Sequence, residues 1–117
     1  MRVNNDAYIT SADMSAASIT GAPINLESIY CYSIQIVVTG GPPTGTLKLQ
    51  MSNDLGTDII GTNITNWTDI TGATIAVAAA GSFAFYVDAA SYRWVRMVYT
   101  RTAGSGTLNA RSNTKGV

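Results

Sequence analysis

Hydrophobic and polar residues alternate over two consecutive stretches in the first half of the chain. Every second position from 30 to 38 is apolar or aromatic, and so is every second position from 47 to 51. An alternation with period two is typical of a strand that buries one face. The breaker GGPP at 40–43 separates the two stretches, so the pattern predicts an antiparallel hairpin at this point.

β-prone segments continue along the chain, and Gly, Asn, Asp or Pro residues separate them. The polar stretch 53–66 interrupts the series, and its apolar residues are expected to fold back over the core. With the two alternating stretches, the segments predict about seven to nine short strands, hence an all-β antiparallel β-sandwich or jelly roll. The other segments are 7–12, 16–20, 24–29, 67–70, 74–77, 82–88, 92–102 and 107–112.

The length of 117 residues is that of one ordinary domain. We divide this domain into an N-terminal arm with the first short strands at 1–29, a β-sandwich core at 30–112 and a C-terminal tail at 113–117. The tail is expected to be mobile because it has no apolar pattern.

The charge content is low and balanced. Charged residues make up 12% of the chain, with seven basic and seven acidic side chains. A nucleic-acid-binding protein usually has a basic excess, so we expect no nucleic acid partner. A surface with few charges is easily buried against a neighbouring subunit. The N-terminus has no apolar signal-peptide core, and no apolar run approaches the ~20 residues that span a bilayer, so we also expect no membrane association.

The sequence offers little for catalysis. It contains no histidine and one cysteine, Cys31. This composition excludes Ser-His-Asp and Cys-His arrangements and the common zinc sites. Most carboxylates are placed at turns or strand ends, where local hydrogen bonding favours them. We therefore predict a protein that is not an enzyme, with no catalytic residue, no metal site and no cofactor. The loop with Asn53, Asp54 and Asp58 has calcium-type oxygen ligands, although ordinary turn chemistry explains them equally well.

The aromatic residues allow two interpretations, a sandwich core or subunit interface and a ligand-stacking platform. The segment YRWVRMVY at 92–99 is apolar on both faces. Such a strand is central in its sheet, or a partner covers it. A buried cation needs a counter-charge, so Arg96 is predicted to pair with a carboxylate such as Asp69 or Asp88.

Four segments together resemble small β-sandwich proteins of tailed bacteriophages: GTLKLQMSND at 45–54, NWTDI at 66–70, YRWVR at 92–96 and GSGTLN at 104–109. The resemblance covers roughly residues 30–116 and implies a virion accessory role. The family includes capsid decoration or cement proteins, often trimers with an extended N-terminal arm, and tail components. The YRWVR strand is also similar to a strand of discoidin-like carbohydrate-binding sandwiches.

The resulting hypothesis is a non-enzymatic virion structural protein. It is expected to assemble in the host cytoplasm, to bind the major capsid protein or other virion proteins as a decoration protein, and to form a homotrimer. The predicted capsid-binding residues are Met1, Arg2, Val3, Asn4, Asn5 and Asp6. The predicted self-association residues are Tyr92, Trp94, Arg96, Tyr99 and Arg101. The alternative is a carbohydrate-binding or adhesion module of a phage tail or cell surface, with the ligand residues Trp67, Tyr86, Asn53, Asp54 and Asp58.

Overall fold

A computed structural model describes residues 2–56 and 61–116, with side chains from residue 5 onward. These residues form nine β-strands and no helix, which confirms the predicted all-β class. No described segment is therefore a helix able to cross a bilayer. The strands are β1 (Arg2–Asp13), β2 (Ser18–Thr20), β3 (Ile24–Asn25), β4 (Ile29–Thr39), β5 (Pro43–Ser52), β6 (Thr68–Val77), β7 (Gly81–Val87), β8 (Trp94–Gly104) and β9 (Thr107–Gly116).

The strands form two antiparallel sheets that pack face to face. Sheet A has the order β1-β9-β4-β7, and sheet B has the order β2-β8-β5-β6, with β3 also paired to β8. Residues from β4, β7 and β9 of sheet A meet residues from β5 and β8 of sheet B in one apolar core. The largest fully buried members of this core include Met14, Ile34, Ile36, Leu47, Leu49, Met97, Tyr99 and Leu108.

The hairpin predicted between β4 and β5 is wrong. β4 pairs with β7 and β9, whereas β5 pairs with β6 and β8. The chain therefore crosses from sheet A to sheet B at residues 40–42, where Gly40 and Gly41 have φ angles of 75° and 91°. These angles favour glycine. The sequence does not distinguish this crossing from a hairpin. In both arrangements each strand buries one face, so hydrophobic and polar residues alternate in the same way.

β8 is a central strand, in agreement with the segment being apolar on both faces. It lies between β5 on one side and the short strands β2 and β3 on the other. Its inward side chains Val95, Met97 and Tyr99 belong to the core. On the other face, Trp94 is covered by described residues on both sides of 57–60: a Cβ on Gly56 or Gly61 would lie 3.2 or 2.9 Å from the Trp94 ring, and Ile64 is 8% exposed.

Both ends of the described chain lie in sheet A. β1 pairs with β9 along its length, from Arg2 opposite Gly116 to Asp13 opposite Thr107. Residues 2–13 are therefore an edge strand, whereas the sequence pattern predicts an arm with a first strand at 7–12. β9 also continues beyond the expected boundary at residue 112, through most of the segment predicted to be a tail. The buried residues at this end of β9 include the polar Ser112 and Thr114, and less buried residues alternate with them. A search for apolar alternation therefore does not find this part of the strand.

Candidate functional site

The outer face of sheet B carries a connected group of polar and aromatic side chains. We call the group of Lys48, Gln50, Trp67, Asp69 and Arg96 the Trp67 platform. Strand register brings its members together, because Gln50 of β5 is paired with Arg96 of β8 and with Asp69 of β6. Lys48 lies two residues before Gln50 and therefore points to the same side of the sheet.

Contacts within the Trp67 platform form a continuous chain. The guanidinium carbon of Arg96 lies 4.3 Å from the centre of the Trp67 ring. Arg96 Nε donates a hydrogen bond to Gln50 Oε1 at 2.8 Å, and Gln50 Nε2 donates to Asp69 Oδ1 at 2.8 Å. Lys48 Nζ completes the chain with a 3.3 Å ion pair to Asp69 Oδ2. The sequence predicts a direct pairing of Arg96 with Asp69 or Asp88. In the structure, Arg96 is instead linked to Asp69 through the Gln50 amide.

The electrostatics of the platform keep its charges fixed near neutral pH. The hydrogen bond from Gln50, and then that from Lys48, lower the pKa of Asp69 below its ordinary value. Partial burial lowers the pKa of Arg96, which remains a cation because guanidinium groups start far above neutrality. The platform offers an aromatic ring, a planar cation and an amide, which are groups that bind rather than groups that transfer protons.

The loop with Asn53 and Asp54 positions the start of β6. The Asp54 carboxylate accepts hydrogen bonds from the Thr65 N–H at 3.1 Å, the Asn66 N–H at 3.0 Å and Asn66 Nδ2 at 2.9 Å. These bonds lower the pKa of Asp54, with that of the Asn66 side chain contributing most. Asp54 therefore fixes the residue directly before Trp67.

The oxygen atoms of this loop serve local structure. The Asp54 carbonyl accepts a hydrogen bond from Trp94 Nε1 at 3.1 Å, and Asn53 Oδ1 accepts one from the Arg93 N–H at 3.0 Å. Asp58 lies outside the described residues. Within the part of the chain that the structure describes, no three His, Cys, Asp or Glu side chains are grouped so that they hold a metal ion.

Sequence reasoning missed a second polar cluster at the same end of the sandwich. Arg93 forms an ion pair with Glu27, and its Nε donates a hydrogen bond to the Leu55 carbonyl at 3.1 Å. The two charged residues are 66 positions apart, so only the fold brings them together. The pair ties the 53–56 segment to the turn before β4 and thereby supports the cover over Trp94.

Trp67 and Tyr86, the two aromatic residues of the carbohydrate hypothesis, do not share a surface. Tyr86 belongs to β7 and is 77% exposed on the outer face of sheet A. It is paired with Ser33 of β4, which is in turn paired with Asn113 of β9. Trp67 belongs to the platform on sheet B, so the structure does not bring the two rings into one cluster, and their joint role in ligand binding stays a prediction.

The predicted self-association residues also lie in different places. Trp94 and Tyr99 are 1% and 0% exposed, so neither side chain reaches a partner. Tyr92 is half-buried, and its hydroxyl lies 2.5 Å from the Tyr32 hydroxyl. Arg101 is exposed, and its Nε donates to the Gly104 carbonyl at 2.8 Å. Arg96 is part of the Trp67 platform. The five residues therefore do not form one common surface, because Trp94 and Tyr99 are buried while Arg101 lies in the exposed end of β8.

The predicted capsid-binding residues lie at the start of β1. Met1 is outside the described residues, and Arg2, Val3 and Asn4 contribute backbone to the β1–β9 pairing. Asn5 and Asp6 are exposed. Asn5 Oδ1 accepts hydrogen bonds from Arg111 at 3.0 and 3.3 Å, which fixes it against β9. Contact of this segment with a capsid stays a prediction, but the described part is a paired strand.

No protein-family model and no curated protein matches the chain. Among solved structures, it is similar to the PBSX exported protein XepA (TM-score 0.69, 18% identity), covering 97% of this chain and 37% of XepA. It is also similar to the SPBc2 prophage-derived protein YomS (TM-score 0.59, 7% identity), covering 97% of this chain and 92% of YomS. The chain thus spans well under half of XepA. At these identities the similarity establishes the fold alone, a two-sheet β-sandwich.

Proposed function

We propose that this chain is a non-enzymatic structural module of a phage particle and binds another particle protein through the Trp67 platform. In the specific form of the proposal, that protein is the major capsid protein and the chain decorates the head. The fold shared with the prophage-derived protein YomS and with the PBSX exported protein XepA supports a phage particle as the setting, as does the resemblance to phage β-sandwich proteins. The observation that carries the proposal is the stacked, hydrogen-bonded arrangement of Trp67 and Arg96 on an exposed sheet face.

Trp and Arg are the residue types that most often dominate the binding energy of protein interfaces. A side chain that is already ordered loses less conformational entropy when a partner binds. Trp67 and Arg96 hold each other in place, and Gln50 fixes the guanidinium from the side. Among the described residues, Arg96 makes its hydrogen bond through Nε, so its two terminal nitrogens remain available for a carboxylate or carbonyl of the partner.

Lys48 and Asp69 of the platform already pair with each other, so Arg96 is the platform charge that a partner would have to neutralise on binding. A protein that binds only the assembled lattice stabilises the assembly by mass action. Decoration of the head would therefore raise the temperature at which the head opens. Attachment to a tail component would leave that temperature unchanged.

The test uses phage particles that lack this protein and purified chain added back to them. Co-sedimentation measures binding of wild type, Trp67→Ala, Arg96→Ala and the control Tyr86→Ala, whose exposed side chain lies on the opposite sheet. We expect at least a tenfold weaker affinity for the two platform variants and unchanged affinity for the control. Circular dichroism shows that each variant is folded. Equal binding by all four proteins would overturn the platform as the contact surface.

The same particles distinguish head from tail. A dye that fluoresces on DNA release reports the temperature at which the head opens, with and without added chain. A rise that Arg96→Ala abolishes supports decoration. Binding without any rise rejects decoration and supports attachment to the tail.

One observation favours carbohydrate binding as a second candidate. Tyr86 is highly exposed, and its row across sheet A continues with the polar residues Ser33 and Asn113. An exposed aromatic ring beside hydroxyl and amide groups suits a sugar ring, which has an apolar face and polar edges. Calorimetric titration with soluble chito-oligosaccharides and peptidoglycan fragments tests this, with Tyr86→Ala expected to lose binding and Trp67→Ala to retain it. No heat with either ligand class would reject these glycans as ligands.

A further inference from the structure

The four edges of the two sheets differ in how they are protected. β1 and β7 form the edges of sheet A; β6 forms one edge of sheet B, and the short strands β2 and β3 form the other. An unpaired edge exposes a row of N–H and C=O groups that can pair with another strand. Proteins that stay monomeric usually block such edges with bulges, charges, proline or very short strands.

Three of the four edges have such protection. β1 is interrupted by register shifts around Tyr8 and between Ile9 and Ala12, and it carries charged residues at positions 2, 6 and 13. β2 and β3, which share one edge, are short strands of three and two residues. β6 bulges strongly, because its residues 70–73 lie opposite the single residue Leu49 of β5.

β7 has none of these protections. It pairs with β4 from Gly81 to Val87 without a register shift. Its sequence, GSFAFYV, contains no charge and no proline. Ser82, Ala84 and Tyr86 are exposed on its outer face, and Phe85 is buried in the core. A regular, uncharged seven-residue strand with an open edge is suited to strand addition.

A partly apolar groove runs beside this edge. It lies between β7 and the bulged strand β6, and its volume is about 420 Å³. Leu49, Ala73, Ile75, Phe85 and Val87 contribute apolar side chains to its lining. A strand added to β7 would therefore form backbone hydrogen bonds in sheet A and bury apolar surface in the groove.

We propose that β7 pairs with β7 of a second copy of this chain, antiparallel and centred on Ala84. Each Ala84 would then lie opposite Ala84 of the partner subunit, Tyr86 opposite Ser82 of the partner subunit, and Phe83 opposite Phe85 of the partner subunit. The two copies of sheet A would join into one eight-stranded sheet, and the grooves of the two copies would face each other.

Charge is the reason for choosing a second copy as the occupant. No charged residue lies between 81 and 87, so the paired strands bring no like charges together. The nearest charge, Asp88, would lie opposite the uncharged residue 80 of the other copy. Eight positions then separate the two Asp88 residues along the strand, or roughly 26 Å at ~3.3 Å per residue. The two-fold arrangement, which is the commonest in homo-oligomers, also makes the contact self-complementary.

This surface replaces β8 as the site of self-association and predicts a dimer, where the sequence resemblance implied a trimer. It is independent of the proposed attachment through the Trp67 platform, because β7 belongs to the other sheet. Loss of dimerisation and loss of particle binding are therefore separable.

The test is the mass in solution by light scattering across a range of concentrations, for wild type, Ala84→Lys and Gln35→Lys. Gln35 is the matched control because it is exposed on β4 directly beside Ala84, but away from the edge. We expect a mass of twice 12.3 kDa for wild type and Gln35→Lys, and the single-chain mass for Ala84→Lys. A monomeric wild type, a trimer, or equal masses for the two lysine variants would overturn the proposal.

Cross-linking tests the register. In a Cys31→Ser background, Ala84→Cys places two thiols directly opposite each other across the two-fold axis, at a Cα separation that a disulfide tolerates. We expect mild oxidation to give a covalent dimer for Ala84→Cys and none for Gln35→Cys in the same background. Equal cross-linking of both variants would indicate random collision and would count against a β7 contact.

Discussion

The guanidinium of Arg96 lies over the ring of Trp67, at 4.3 Å from the ring centre. The two residues come from different parts of the chain, since Arg96 is in β8 and Trp67 immediately precedes β6. Strand β5 lies between them in the sheet, and its Gln50 accepts the hydrogen bond of Arg96. The contact therefore couples the central strand of sheet B to its edge.

We predict that Trp67 and Arg96 are energetically coupled. Cation–π contacts near a surface contribute about 0.5–1 kcal/mol. In a double-mutant cycle with Trp67→Ala and Arg96→Ala, we expect the double variant to lose less stability than the sum of the two single changes, by about this amount. Urea unfolding followed by circular dichroism measures the four free energies of unfolding. Full additivity would show that the stacking contributes nothing.

Much of the fold follows from patterns within single segments. The alternation in β4 and β5 identifies both strands, and the doubly apolar segment 92–99 identifies β8 as central. These patterns do not show to which sheet each strand belongs. β4 and β5 would each bury one face whether they paired with each other in a hairpin or lay in two different sheets. β9 was predicted too short because Ser112 and Thr114 are polar residues at buried positions.

The candidate site was recoverable only in part. Trp67 stands out in the sequence as an aromatic residue near a turn, and Arg96 as a charged residue in an apolar strand. Their contact depends on the register of three strands, which no local pattern encodes. The sequence alone does not tell Trp94 from Trp67, because both are tryptophans in or beside a predicted strand. In the structure, residues of the 53–66 stretch cover Trp94. Long-range contacts such as that of Arg93 with Glu27 hold this cover in place, and no local pattern encodes them.

Tyr99 leads to a prediction about an unpaired polar atom. Its side chain is 0% exposed, and its hydroxyl has no hydrogen-bond partner among the described residues. A buried unsatisfied group costs about 1–3 kcal/mol. We therefore expect Tyr99→Phe to leave the free energy of unfolding unchanged or to raise it by about 1 kcal/mol, as measured by urea unfolding. A clear destabilisation would mean that a bound water satisfies the hydroxyl in solution.

Stability should fall at alkaline pH because of Tyr8 and Tyr32. Burial raises the pKa of Tyr8 to about 12, and burial together with the Tyr92 hydroxyl raises that of Tyr32 further. The folded state disfavours the ionised form of these tyrosines. Their contribution to the free energy of unfolding is therefore complete below the unfolded-state pKa near 10, and it is lost as the pH rises above that value. We expect the melting temperature to decrease above about pH 10.

Tyr8→Phe provides the check on this pH dependence. The Tyr8 hydroxyl donates to the Ala22 carbonyl at 2.7 Å and accepts from the Met97 N–H at 3.2 Å. Its removal should lower stability at pH 7 by about 1–2 kcal/mol and make the decline above pH 10 shallower. Thermal melts of both proteins from pH 8 to 11.5 measure this. Parallel profiles would assign the alkaline loss to other groups.

Asp54 should make the loop before Trp67 sensitive to acid. Its pKa is lowered by three hydrogen bonds from Asn66 and Thr65, so the carboxylate form is favoured in the folded state. The resulting stability is present above the unfolded-state value of about 3.9 and is lost as the pH falls through the lower folded-state pKa. We expect Asp54→Asn to have a lower melting temperature at pH 6 and a shallower decline toward pH 2.5 than wild type. Asn66→Ala removes one of the three donors and should give an intermediate slope, because both backbone donors remain; an unchanged slope in both variants would show that other carboxylates govern the acid transition.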